Sequence, residues 1–318
     1  MLAAHADWSV AAGKRWLCRA RREGAGWRVF APEPVADAAA LPARLLTESG
    51  GAPVALGVDF PLGLPRAYVA RHLAGRFHDF PDCLRNIKTF PEFFEVSQSL
   101  ATVAPERPFY PARGMRGMTR AAHAAALGLA CAADLSRACD RATAERPAGA
   151  PLFWTLGANQ TGKAAIHAWP ALLITPHPGL RLWPFAGPLG RLLAPGRVVI
   201  AETYPAEALR QLGIGRFGSK RRQGDRAALA AGLRRALAGL GAAAVPELAA
   251  TIADGFGADA AGEDRFDCVL GLLAVLGVLT GRRPDAPPPD PWLTTWEGWV
   301  LGQTAAPRAV TPDAAGAA

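Results

Sequence analysis

Pro53-Val54-Ala55-Leu56-Gly57-Val58-Asp59-Phe60-Pro61-Leu62-Gly63-Leu64-Pro65 is a short apolar run that ends on a carboxylate and breaks at once into a Pro/Gly loop. An apolar run of this length between turn residues suits a strand buried on both faces. Pro61 has no N–H for a ladder bond, so the strand stops before it. Asp59 therefore stands at the carboxyl end of a central strand, the edge where open α/β sheets place their ligands. An Asp before such a loop also caps its own backbone. The rest of the chain decides between the two roles.

Upstream, residues 2–10, 15–21 and 26–31 read as three strands joined by tight turns, an antiparallel meander. Residues 37–49 carry helical spacing at Ala38, Leu41, Leu45 and Leu46, and Gly50-Gly51 closes that helix. The order β-β-β-α-β, with Asp7 in the first strand and Asp59 ending the fourth, opens a ribonuclease-H-like sheet. Downstream, residues 66–75, 91–100 and 120–141 read as helices, and residues 156–163 form a polar, glycine-containing turn that opens another. Residues 197–202 repeat the pattern of a buried strand ending on a carboxylate, Glu202. A basic cluster, Lys220, Arg221, Arg222 and Arg226, starts a long Ala/Leu helix to about Leu240. Asp264-Arg265-Phe266-Asp267 opens the most apolar helix, which Gly281 ends. Residues 296–301 read as an edge strand. The expected architecture is α/β: a ribonuclease-H-like mixed sheet flanked by helices, from residues 1–60 and 196–302. A large, mainly helical insertion at 61–195 would form a lid or substrate wall, and residues 303–318 a disordered tail.

Half of the 318 residues are hydrophobic, enough for a substantial core. The net charge of +8 suits a polyanionic partner. Only four of the 35 basic residues are Lys, however, and no block of five or more like charges is present, so charge alone favours nucleic acid weakly. Five scattered cysteines without a Cys-x-x-Cys pair argue against a zinc ribbon and a disulfide framework. Residues 1–10 lack the pattern of a signal peptide. The longest apolar run, 268–280, falls short of the roughly 20 residues that span a bilayer. A soluble cytoplasmic protein, with no membrane partner, is expected.

The chemistry is carried by carboxylates at the ends of regular elements: Asp7, Asp59 and Glu202 on strands, Asp264 and Asp267 at a helix start. Residues three apart on a helix share a face, so Asp264 and Asp267 point to one place. Carboxylates repel each other, and the usual reason to gather them is a hard divalent cation, Mg²⁺ or Mn²⁺. Two such ions about 4 Å apart hold the attacking water and leaving oxygen of a phosphodiester. Taken singly, each residue has a plainer role: a helix cap for Asp264 or Asp267, an ion pair for Glu202, a turn for Asp7.

The segments ALGVDFPLGLP (55–65), AETYP (201–205) and DRFD (264–267) resemble the three motifs of the domain of unknown function 429 family, described as ribonuclease-H-like nucleases. The resemblance runs from Asp7 to Gly281. The Asp-x-x-Asp start of the last helix is also similar to the His-x-x-Asp of RuvC-like Holliday-junction resolvases. The resemblance implies Asp7, Asp59 and Asp267 as metal ligands, with Glu202 and Asp264 as a fourth ligand or behind it. The first-strand motif departs from Gly-x-Asp: in His5-Ala6-Asp7-Trp8-Ser9, bulky Trp8 is expected to crowd the place where a substrate backbone approaches.

Two weaker signals concern phosphate. Asn159, Gln160 and Lys163 at a helix start would bind it through backbone N–H groups and the ammonium, or form an ordinary cap. Lys220, Arg221 and Arg222 would grip a phosphate backbone, or make a solvated basic face. The expected function is metal-dependent hydrolysis of a nucleic-acid phosphodiester. The rivals are a small-molecule phosphotransferase on a related actin-like fold and a non-catalytic phosphate- or nucleic-acid-binding module.

Overall fold

In a computed structural model of the chain, which describes residues 1–114, 117–157, 161–174, 177–215 and 218–309, every residue of the first strand, β1 (Leu2–Asp7), is buried. β2 (Trp16–Glu23) runs antiparallel to β1 with Trp16 opposite Asp7, and β3 (Gly26–Val29) returns antiparallel to β2. A two-residue strand, β4 (Glu33–Pro34), pairs with the start of β2. The helix α1 (Leu41–Glu48) starts four residues later than its spacing suggests. Asp37 Oδ1 accepts the N–H groups of Ala39 (2.9 Å) and Ala40 (3.4 Å), holding that segment in a turn. β5 (Val54–Val58) then comes back parallel to β1.

The chain continues through α2 (Arg66–His72), α3 (Phe80–Arg85), α4 (Arg120–Ala126) and α5 (Thr161–Ala168). It rejoins the sheet with β6 (Leu180–Leu182), α6 (Leu189–Leu192) and β7 (Val198–Glu202). The remaining elements are α7 (Pro205–Gln211), α8 (Gln223–Ala227), α9 (Ala230–Gly239), β8 (Ala242–Ala244), α10 (Pro246–Ala253) and α11 (Gly262–Leu279). The sheet order is β6-β7-β5-β1-β2-β3-β8, with only the β1–β2, β2–β3 and β2–β4 pairs antiparallel. This is the ribonuclease-H-like mixed sheet. α11, buried along nearly its whole length, lies on the sheet face that carries His5 and Gly57.

Two compact units result. The first comprises Met1–Asp59, Thr175–Pro287 and Val300–Gln303; the second comprises Phe60–Ile174, Pro288–Trp299 and the described residues after Gln303. The boundaries differ from the expected ones. Residues 175–195 go with the sheet because β6 pairs with β7. Residues 288–299 leave it because they are tied to the second unit: Leu64 N–H donates to Trp296 O (2.8 Å) and Arg66 N–H to Glu297 Oε1 (3.2 Å). Leu293–Glu297 is accordingly a π-helical turn, and the edge strand expected at 296–301 does not form.

The second unit is built on aromatic side chains, with Tyr68, Phe80, Phe93, Phe109, Phe153 and Trp169 fully buried. Within it, Arg137 grips Asp140 bidentately (2.9 Å on each arm) and donates to Leu62 O (3.0 Å). Gly63 has φ +128°, and a Cβ there would lie 2.2 Å from Glu297 O, so only glycine fits this loop. The helix expected over 120–141 ends at Ala126. Asp134 then accepts the Ala130 and Cys131 N–H groups (3.1 and 3.2 Å), and the chain continues as two 3-10 turns. No helix forms over 91–100 either: Ser97 N–H donates to Phe109 O (2.8 Å) and Ser97 O accepts from Ala112 (3.0 Å). Among the described residues, no helix is long and apolar enough to cross a membrane.

Candidate active site

Successive strand residues face opposite sides of a sheet, so His5 and Asp7 share one face of β1. The parallel register pairs His5 with Gly57 and Ala6 with Val58, which sets Asp59 on the same face as Gly57, toward α11. Asp59 Oδ1 accepts the Trp8 N–H at 2.7 Å, tying the ends of β1 and β5 together. Trp8 was expected to crowd the site. Its ring is instead buried, with the Arg15 guanidinium 4.4 Å from the ring centroid, and its backbone helps to build the site.

α11 brings Asp264 and Asp267 to the same place in its first turns. Burial pushes the Asp7 carboxyl well up, and the charges of Asp59, Asp267 and Asp264 push it further, while Lys220 pulls it down. Burial likewise raises Asp59 to about 7, against the Trp8 N–H and a hydrogen bond from the Asp7 side chain. Like charges at close range disfavour ionising both carboxyls, which is the direction of both shifts. Burial also raises Asp264 and Asp267. Asp264 Oδ2 is buried and has no hydrogen-bond partner. Among the described residues, no three of these carboxylates bring oxygens within 4.8 Å of one another. A shared ion would therefore draw their side chains inward.

Glu202 does not join this group. The register pairs it with Val58, so it lies on the sheet face opposite Asp59, and Thr203 takes the position facing α11. Thr203 donates through both N–H (2.7 Å) and Oγ1 (3.1 Å) to Val58 O, fixing the residue before Asp59. The expected role of Glu202 beside Asp7 and Asp59 is corrected by this one-residue offset.

The basic cluster separates into three roles. Lys220 pairs with Asp267 and, at 3.3 Å, with Glu263. Burial opposes its charge, but Asp267 and then Glu263 overcome this and hold it above the usual lysine value. Arg221 and Arg222 are exposed. Arg226 is not on the surface at all: it is 1% exposed and donates to Gly255 O (2.8 Å), Gly257 O (2.6 Å) and Lys220 O. Arg226→Ala is expected to lower stability by about 2 kcal/mol in urea unfolding, because one buried and two half-buried carbonyls lose a charged donor.

Beside Asp267 and Lys220 lies a cavity of about 540 Å³, lined also by Leu209, Arg210, Ile214 and Ser219. Asn159 and Gln160 lie outside the described residues. Lys163 is on α5, in the second unit. Sequence reasoning missed two contributors, the Trp8 N–H and the pairing of Lys220 with Asp267. Neither leaves a trace in residue spacing.

Compared with family models, curated proteins and solved structures, the chain matches none. The chemistry of the donors then has to speak for itself. All are hard carboxylate oxygens, one is an orphaned buried acceptor, and two are short of positive charge. That set fits a hard divalent cation.

Proposed function

We propose that this protein is a ribonuclease-H-like nuclease that hydrolyses nucleic-acid phosphodiesters with Mg²⁺ or Mn²⁺, as its motif resemblance to the domain of unknown function 429 family implies. The observation that carries the reading is the convergence of Asp7, Asp59, Asp264 and Asp267 around a buried acceptor without a donor. Gathering four carboxylates, two buried and two half-buried, beside a single lysine is unfavourable, and a divalent cation would offset it.

A bound divalent ion, or a pair, supplies Lewis acidity at the phosphoryl oxygen and acidifies water. Asp7 and Asp59 would hold that charge at the strand ends, and Trp8 N–H keeps Asp59 aimed. Asp264 and Asp267 close the site from α11. Lys220, which lines the 540 Å³ cavity, pairs with Asp267 and Glu263 and holds Asp267 in place. Glu202 takes no part in the reading.

The test is incubation of the protein with single-stranded, duplex, hybrid and branched nucleic acids, with Mn²⁺, Mg²⁺ or EDTA. Cleavage of at least one substrate that EDTA stops is expected, together with a rise in Tm on adding Mn²⁺ at pH 8. Absence of both cleavage and metal-induced stabilisation would overturn the proposal.

A further inference from the structure

α7, α9 and the C-terminal half of α11 enclose a second cavity in the first unit, of about 420 Å³. Its wall at Gly277 lies about 15 Å along α11 from Asp267, at the α-helical rise. Leu212 and Ala236 give it an apolar side, with Leu240 and Leu273 buried beneath. Around it stand Arg235, Arg282 and Arg283, and none of the lining residues is acidic. Arg283 donates to Gln211 O at 3.0 Å. Arg235 and Arg282 are exposed, and their side chains make no ion pair or hydrogen bond among the described residues.

Each feature specifies part of a ligand. Two uncommitted guanidinium groups ask for an anion, and their planar forks match a phosphate bidentately. The apolar side asks for a flat or apolar body. The volume is that of a small-molecule site.

We propose that this cavity binds a small organic phosphate of the nucleoside monophosphate class. The phosphate sits between Arg235 and Arg282, and the base lies against Leu212 and Ala236. One effect opposes this: α7, α9 and α11 all end near the cavity, and helix C-termini repel anions. That repulsion is screened and falls off within the last turn, whereas charge-assisted Arg–phosphate bonds are among the strong ones. The arginines prevail. The site stands independently of the carboxylate reading.

The test is calorimetric titration of the full chain with adenosine 5′-monophosphate, adenosine, inorganic phosphate and a short DNA strand lacking a terminal phosphate. Adenosine 5′-monophosphate is expected to bind one per chain, with adenosine and phosphate each about tenfold weaker or worse. The double variant Arg235→Gln/Arg282→Gln should lose about tenfold or more. Gly239→Leu should also lose binding while keeping its Tm, because a Cβ there meets nothing within 4 Å and the longer side chain enters the cavity. Asp59→Asn should bind as wild type. The proposal is overturned by no binding at about 1 mM (a −4 kcal/mol affinity), or by equal binding in wild type, the double variant and Gly239→Leu. Loss of binding in Asp59→Asn would overturn it too, by placing the ligand at the carboxylates. Displacement by the DNA strand as effective as by the mononucleotide would replace it with a polymer-backbone site.

Discussion

Asp59→Asn is expected to abolish cleavage and, in the same protein, to make the metal-free fold more stable above neutral pH. The two effects come from one cause. Asp59 is raised from 3.8 to about 7, first by burial and then by Asp267. Between those values the folded carboxyl keeps a proton that the unfolded one has released. The native state then binds more protons, so stability falls as pH rises. The contribution is fully present below about pH 4 and is lost as pH climbs through about 7. A span of three units corresponds to roughly 4 kcal/mol at most, and sharing with Asp7 lowers it to roughly 2–4 kcal/mol. Asparagine has no proton to release, and its Oδ1 still accepts the Trp8 N–H that ties β1 to β5. With EDTA present, wild type should lose roughly 2–3 kcal/mol between pH 5 and pH 8 in urea unfolding, and the variant less. Cleavage should fall by about three orders of magnitude, as for loss of a strong transition-state charge contact. A wild-type stability that is flat over this pH range would mean that Asp59 is not a buried, proton-holding carboxyl. Full activity in the variant would remove it from the chemistry.

Asp7 and Asp59 were legible because a period of two and a breaking proline are local features. The run VALGV, Asp59 and Pro61 fix where a buried strand ends without knowledge of its neighbours. Asp264 and Asp267 were legible for the same reason, as three-apart residues on an apolar helix. Glu202 was not, because register is a property of two strands together. AETYP reads alike whether Glu202 or Thr203 pairs beside Asp59, and a slip of one residue exchanges the faces. Arg226 was read with Arg221 and Arg222 as one basic run. Only the carbonyls of Gly255 and Gly257, about thirty residues away in sequence, distinguish a buried strut from an exposed charge. β8 consists of three alanines, a residue depleted in strands, and exists because β3 offers an edge to pair with. The helices expected at 91–100 and 120–141 failed where local and long-range hydrogen bonds competed with helical ones.

Gly271→Ala is expected to destabilise the fold by about 3 kcal/mol or more, although alanine is the better helix former. Helix propensity alone favours the substitution by about 1 kcal/mol. Against it stands the approach of α11 to β1: a Cβ at position 271 would lie 2.2 Å from His5 Nε2, 2.3 Å from Cδ2 and 2.4 Å from Cε1. The ring is fully buried, so it has no solvent to swing into. Burial holds the imidazole near 3, so it is neutral, and both its nitrogens are buried without partners. It serves as a flat spacer between helix and sheet. The clash must therefore be relieved by lifting α11, and α11 carries Asp264 and Asp267. Stability and cleavage should fall together. Adding His5→Ala removes the ring that the new methyl meets, so the double variant should recover about 1–3 kcal/mol relative to the sum of the single changes. Strict additivity in that cycle, or a Gly271→Ala protein as stable as wild type, would show that α11 does not rest on His5 and that the spacing of the carboxylates is set elsewhere.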